Sequence, residues 1–281
     1  MADFGQATER LSGVRESVMM DAANVLADAR RTKVPIFDLP TDLRPNTMLE
    51  AYAVQDILAR TYGEIGGWKV GAPNAEATPI FAPVPKIWIA EGGALVRGKR
   101  YRGLEAEVAF LLGKDLPPRS SAYTRDEVLG AIASCHPAIE VLESGLTDPV
   151  EADRMSMIAD LQMHGAFVYG PAYDAWKEID WSRETVTLAV DGLLRVERTG
   201  SNTAGDLLRL LPWLANHGSA RTGGLHAGQW ITTGSWTGNT PAGDRSRVNV
   251  AFGQLGRVAL LFAPEQELEK GLPGQSVRTL S

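Results

Sequence analysis

Two periods of apolar and polar alternation run along the chain, and the change from one to the other divides it. From about Ala7 to Arg31, Leu11, Val14, Val18, Ala22, Val25 and Leu26 recur at helical spacing. A break rich in Pro, Asp and Thr covers 33–45. Thr47, with Glu50 three residues on, then predicts a capping box at the head of a second helix. Its stripe is Leu49, Tyr52, Ala53, Ile57 and Leu58, and it ends near Gly63. From Gly66 the chain breaks into short β segments separated by Gly and Pro: GGWKVG, a Pro-studded stretch over 73–85, and the apolar run Gly103 to Gly113. Thr124 and Glu127 predict a capped helix to about Cys135, closed by His136 and Pro137, before the strand AIEVLE. VTLAV and LLRVE flank Asp191-Gly192, a type I′ hairpin signal. Residues 204–216 read as helix, with Pro212 expected to kink it or mark a boundary. Strands return over 229–262. The expected organisation is a helical part over 1–65, a β-rich body over 66–264 and a polar tail over 265–281.

Within GLEAEVAFLLG, strand alternation puts Glu105 and Glu107 on one face and Leu104, Ala106, Val108 and Phe110 on the other. Carboxylates that close repel and raise each other's pKa unless a cation or proton intervenes, so a divalent metal is the economical explanation. A solvated acidic face is the alternative that alternation alone leaves open. In AIEVLE, Glu140 and Glu143 are three apart and face opposite ways, so at most one can join the pair; Glu140, central in the apolar run, is the candidate. Three carboxylates completed by water or substrate oxygens suit Mg²⁺ or Mn²⁺. Lys69 sits in an apolar, glycine-flanked strand. Either it snorkels to the surface or its head is buried, and a buried ammonium is a candidate acid or base.

Composition narrows the function class. The 281 residues are 44% hydrophobic and 22% charged with a formal charge of -6, which argues against a nucleic-acid footprint. No apolar run approaches the roughly 18 residues of a membrane span, and the N-terminus lacks a signal-peptide pattern. The single cysteine, Cys135, excludes an internal disulfide and suits a reducing compartment. The expectation is a cytoplasmic protein with a small-molecule partner, no nucleic acid and no membrane.

The ordered pieces AYAVQ (51–55), GWKVG (67–71), LEAEVAFLLGKDL (104–116), AIEVLES (138–144), WLAN (213–216), LHAGQWITTGSWTG (225–238) and VNVAFGQLGRVALLF (248–262) span much of the chain. In them the sequence resembles the fumarylacetoacetate hydrolase superfamily, and within it the 2-keto-4-pentenoate hydratase and 4-oxalocrotonate decarboxylase branch. The resemblance implies an α+β fold, a helical N-terminal part on a strongly curved mixed β-roll. It implies Mg²⁺ or Mn²⁺ on Glu105, Glu107 and Glu140, Lys69 close to a small 2-oxo acid, Thr233, Gly234 and Ser235 meeting substrate oxygens, and a homo-oligomer. The implied activity is a magnesium-dependent lyase of aromatic degradation, a hydro-lyase that hydrates a 2-hydroxy-2,4-dienoate. Decarboxylation of a 2-oxo acid and carbon–carbon bond hydrolysis are the alternatives, and a catalytically inactive ligand-binding member is the reading from a different class. The departures fall on proton-handling positions. An acidic family element reads Pro79-Ile80-Phe81-Ala82, an Asp-Asn-Ala-Ser element reads Asp160-Leu161-Gln162-Met163 before His164-Gly165, and Glu143-Ser144-Gly145 lacks a family arginine. His164 is the candidate replacement acid or base; the plain alternative is a hydrogen-bonded core histidine.

Overall fold

The computed structural model describes residues 13–264 and 277–278. Helix α1 (Gly13–Thr32) turns Met19, Ala22, Ala23 and Leu26 into the core, and residues 7–12 of the expected helix lie outside the described residues. Helix α2 (Met48–Arg60) starts at Thr47, whose hydroxyl accepts from the Glu50 N–H at 3.2 Å. The Glu50 carboxylate binds the Asn46 N–H and the Arg15 guanidinium of α1, which fastens the two helices together.

Fourteen strands follow among the described residues. The first seven are β1 (Ile65–Gly71), β2 (Ile80–Pro85), β3 (Ile89–Glu91), β4 (Ala94–Val96), β5 (Gly103–Leu112), β6 (Ile132–Leu142) and β7 (His164–Tyr169). The rest are β8 (Thr185–Val190), β9 (Leu193–Thr199), β10 (Trp230–Ser235), β11 (Thr240–Pro241), β12 (Arg247–Phe252), β13 (Gly256–Phe262) and β14 (Val277–Arg278). One sheet runs β2-β1-β10-β5-β6-β7-β3, with β11 on the end of β5; the other runs β14-β4-β13-β12-β8-β9. Of the expected polar tail, Val277 and Arg278 pair with β4, while 265–276 and 279–281 lie outside the described residues.

The curvature of the first sheet follows from its connections. Seven flat strands would put the outer two about 29 Å apart, at roughly 4.8 Å per strand. Yet its two edges, β2 and β3, are joined only by residues 86–88, and four residue steps span at most about 14 Å. The sheet therefore rolls until its edges approach, and a Cβ on Gly66 of β1 would come within 2.6 Å of Ile89 on β3. The main core packs outside this roll, under the helices and the second sheet. A second, smaller cluster of Val84, Ala109, Ala138, Phe167 and Trp230 sits two residues along its strands from Glu107, Glu140 and Thr232, hence on their face.

Two local readings are refined. The helix after Thr124, α3 (Arg125–Leu129), carries the full capping box but stops at Leu129, so Cys135, His136 and Pro137 are strand residues of β6 rather than a helix end and a loop. Helix α4 (Arg154–Ala159) is capped by Asp153. Pro212 falls in the first turn of α5 (Leu210–His217), behind a 3₁₀ turn at Leu207–Arg209, where a missing N–H breaks no bond; it marks a boundary and does not kink the helix. The hairpin at Asp191-Gly192 has φ of 54° and 79°, as a type I′ turn requires. No helix among the described residues is long and apolar enough to cross a membrane.

Candidate metal centre

Strand register assembles the acidic site. Glu105 of β5 lies directly opposite Glu140 of β6, and Glu107 follows on the same face, opposite Ala138. One ligand atom from each of the three carboxylates lies within 4.8 Å of the others. The far face of β5 is held in the core by Leu104, Ala106, Val108 and Phe110, all fully buried, so the carboxylates cannot turn outward. Glu143, as parity requires, is elsewhere: its carboxylate accepts from the backbone N–H groups of Arg100, Tyr101 and Ser144.

Two of the carboxylates have one oxygen held by two donors. Glu140 Oε1 accepts from Lys69 Nζ at 2.6 Å and from His164 Nδ1 at 2.8 Å, while its buried Oε2 has no partner among the described residues. Glu107 Oε2 accepts from the Thr232 hydroxyl and from the Gly234 N–H at 3.1 Å. Lys69 is delivered by β1, which pairs parallel with β10 so that Lys69 lies beside Thr232. Its ammonium also donates to the Gln162 carbonyl at 3.0 Å. The lysine is therefore half-buried and paired, and does not snorkel.

Burial, followed by repulsion from Glu140, pushes the Glu105 carboxyl up to about 7, with Lys69 pulling the other way. Burial and both neighbouring carboxylates drive Glu107 well above the ordinary range. Burial works the same way on Glu140, but Lys69 and His164 overcome it and hold that group down to about 2. Three carboxylates, two buried and one half-buried, facing one ammonium are short of positive charge, and the Glu140 Oε2, without a partner among the described residues, is a hard donor. The residues fit a small divalent cation such as Mg²⁺ or Mn²⁺.

A pH dependence follows. Because the Glu105 pKa rises on folding from 4.5 to about 7, its contribution to stability is complete below 4.5 and is lost as pH rises through about 7. Metal-stripped protein is expected to lose thermal stability over that window, while the rise in Tm on adding Mg²⁺ grows across it, because binding must displace protons. Calorimetry in buffers of different ionisation enthalpy reads the released protons directly; a Mg²⁺ affinity flat from pH 5 to 8 would contradict this.

The other candidate residues fall on both sides of the expectation. Thr233 is a correction: strand alternation turns its hydroxyl away from the carboxylates, where it donates to the Val108 carbonyl. Thr232, one residue earlier, faces them instead. Gly234 has φ of 83° and brings its backbone onto Glu107; Ser235 hydrogen-bonds Glu105. His164 is fully buried, and burial lowers its pKa despite the pull of Glu140, so the neutral ring carries its proton on Nδ1, facing that carboxylate. It stands behind a candidate ligand, not at an open face where substrate could take a proton from it.

Sequence reasoning missed what holds this turn. Leu161, Gln162 and Met163 all have positive φ (53°, 49° and 64°), a strained run for non-glycine residues. Arg30 of α1 clamps it, donating to the Asp160 carboxylate at 2.5 Å and to the carbonyls of Asp160, Glu143 and His164. The signal was an arginine four residues after Leu26 and eight after Ala22, on the buried stripe of a helix.

The family model for the C-terminal region of fumarylacetoacetate (FAA) hydrolase matches residues 58–261. A 2-keto-4-pentenoate hydratase of Burkholderia vietnamiensis is 28% identical over 202 residues, covering 66% of this chain and 74% of that protein. A 2-keto-4-pentenoate hydratase of Dechloromonas aromatica is 26% identical over 255 residues, 86% of this chain and 96% of its own. The fold matches 4-oxalocrotonate decarboxylase from Pseudomonas putida G7, solved with magnesium and adipate, at a TM-score of 0.77 and 24% identity, covering 90% of this chain and 99% of that one.

Proposed function

The chain belongs to the fumarylacetoacetate hydrolase family, and from that premise we propose that it is a Mg²⁺- or Mn²⁺-dependent hydro-lyase acting on a small 2-hydroxy-2,4-dienoate of the kind met in aromatic degradation. The observation that carries the reading is the largely buried acidic triad, with one oxygen of Glu140 unpartnered among the described residues and the Lys69 ammonium beside it. Glu105, Glu107 and Glu140 would hold the ion, which when bound supplies Lewis-acid stabilisation of charge developing on the oxygens of a 2-oxo acid.

Hydration places a hydroxyl on C4 and new C–H bonds at C3 and C5; one of those protons comes from water and the other from the 2-hydroxyl as it becomes a ketone. Lys69 is the residue we assign to this proton traffic. It has three N–H donors and two described acceptors, Glu140 Oε1 and the Gln162 carbonyl, which leaves one N–H for a substrate oxygen. Gly234 and Ser235 form the rim near Glu105 and Glu107, and His164 acts on Glu140 rather than on substrate.

The wall beside Lys69 favours hydration over decarboxylation of a dicarboxylate. Register pairs Lys69 with Ala82 and Gly71 with Ile80, so both apolar side chains share the lysine's face. An uncharged vinyl tail is compatible with that wall; a second carboxylate would be desolvated against it.

The test is a panel of 2-hydroxydienoic and 2-oxo acids, with and without Mg²⁺, with products identified by mass. Metal-dependent gain of water on 2-hydroxypenta-2,4-dienoate is expected. Loss of CO₂ from 4-oxalocrotonate, or chain cleavage, would replace hydration by those chemistries, and tight oxalate or pyruvate binding without turnover would mark a non-catalytic member. The proposal includes a cytoplasmic homo-oligomer, consistent with one reduced, buried Cys135. A single monomeric boundary in sedimentation velocity would remove the assembly.

A further inference from the structure

The two fully buried carboxylates of the triad share a feature that the ligand set alone does not require. Each has one oxygen already occupied by two donors. On Glu140 these are Lys69 Nζ and His164 Nδ1; on Glu107 they are the Thr232 hydroxyl and the Gly234 N–H. All four donors come from outside the ligand-bearing strands, on β1, β7 and β10. An oxygen that accepts two hydrogen bonds has its lone pairs directed at those donors, so each carboxylate offers the ion a single oxygen.

Resting on the metal-dependent reading above, we propose that His164 and Thr232 are specificity-determining positioning residues: by capping one oxygen each on Glu140 and Glu107, they enforce one-oxygen ligation and select Mg²⁺ and Mn²⁺ against Ca²⁺. The physical basis is coordination number. Mg²⁺ demands six near-octahedral ligands at short distance and is satisfied by single carboxylate oxygens and water. Ca²⁺ takes six to eight at longer distance and gains from carboxylates that swing to present both oxygens. A glutamate pinned through one oxygen cannot swing.

The surroundings of His164 support a positioning role. Its carbonyl is held by Arg30 at 2.9 Å, its ring lies 5.9 Å from that of Trp88, and the left-handed run of 161–163 fixes the chain just before it. Its Nε2 is buried with no partner among the described residues. The ring therefore has one polar contact, and that contact is Glu140. Thr232 is likewise buried, and among the described residues its hydroxyl bonds Glu107 alone.

Calorimetric titration of the metal-stripped full chain with Mg²⁺, Mn²⁺ and Ca²⁺ separately tests this, comparing wild type with His164→Leu, His164→Asn and Thr232→Val. The leucine and valine variants remove a cap and are expected to shift the Ca²⁺-to-Mg²⁺ affinity ratio toward Ca²⁺ by about 10-fold, the lower end of what losing a partner behind a ligand does. Asparagine places an amide N–H near the position of Nδ1 and should restore the wild-type ratio. General loosening of the site would weaken all three ions together and leave the ratio unchanged. A ratio unmoved in both cap-removing variants overturns the proposal; if His164→Leu fails to fold, Thr232→Val alone decides it. A wild-type chain that binds none of the three ions would instead overturn the metal-dependent function.

Discussion

Glu107→Gln is expected to lower Mg²⁺ affinity at least about 100-fold, beyond the 10- to 100-fold typical of losing a group behind a ligand, and to raise the melting temperature of the metal-stripped protein at neutral pH. Both effects have one cause. In the wild-type chain the Thr232 hydroxyl and the Gly234 N–H hold one oxygen of Glu107. The amide oxygen of glutamine takes over those bonds and leaves an NH₂ where the ion needs a donor of electrons. Without metal, burial and the two neighbouring carboxylates drive the Glu107 pKa upward, so the folded state bears a penalty at neutral pH that the uncharged amide avoids. Because that pKa is raised on folding, the penalty is absent below the unfolded value of 4.5 and grows as pH rises above it. The gain in Tm should therefore be present at pH 7 and vanish at pH 4. An unchanged Mg²⁺ isotherm would remove Glu107 from the centre.

Lys69→Met separates chemistry from metal binding. A positioned acid or base contributes about 10²–10⁴-fold, and kcat should fall by that order. Metal affinity should not fall with it. The ammonium holds Glu140 ionised, but it also repels a dication in the same pocket; without it three carboxylates face the ion with no ammonium competing for them. The expected result is Mg²⁺ binding at wild-type strength or tighter in an enzyme of greatly reduced turnover. Should affinity and turnover collapse together, Lys69 would be a support for Glu140 and not a group that handles protons.

What could be read in advance was what depends on short-range geometry. Alternation alone put Glu105 and Glu107 on one face, and the spacing of three between Glu140 and Glu143 separated their roles, because a strand has a strict period of two. The hairpin at Asp191-Gly192 was legible for the same reason. Where a residue's partner lies far along the chain, the pattern was silent. The segment from Thr233 to Ser235 missed Thr232 because nothing local sets the parity of β10; the parallel pairing with β1, 163 residues away, does so. Arg30 was invisible as a site residue because its meaning comes from Asp160, on another element. His164 was visible as an ionisable group beside a glycine, but its burial behind Glu140, and hence its role, depends on the strained turn and on the rolled sheet.

That pairing of β1 with β10 bears on the life of the protein before it works at all. Lys69 emerges early in synthesis and the three carboxylates soon after, but Thr232 and Gly234 come late, and until β10 inserts between β1 and β5 the roll has no continuous wall. Contacts of such long range form slowly. A ribosome-bound chain ending before residue 230 would display the carboxylates without the Thr232 and Gly234 caps on Glu107 and without the strand that holds β1, and Lys69 with it, against β5. A complete site is thus tied to synthesis past β10, which joins the strand of Lys69 to that of Glu105 and Glu107.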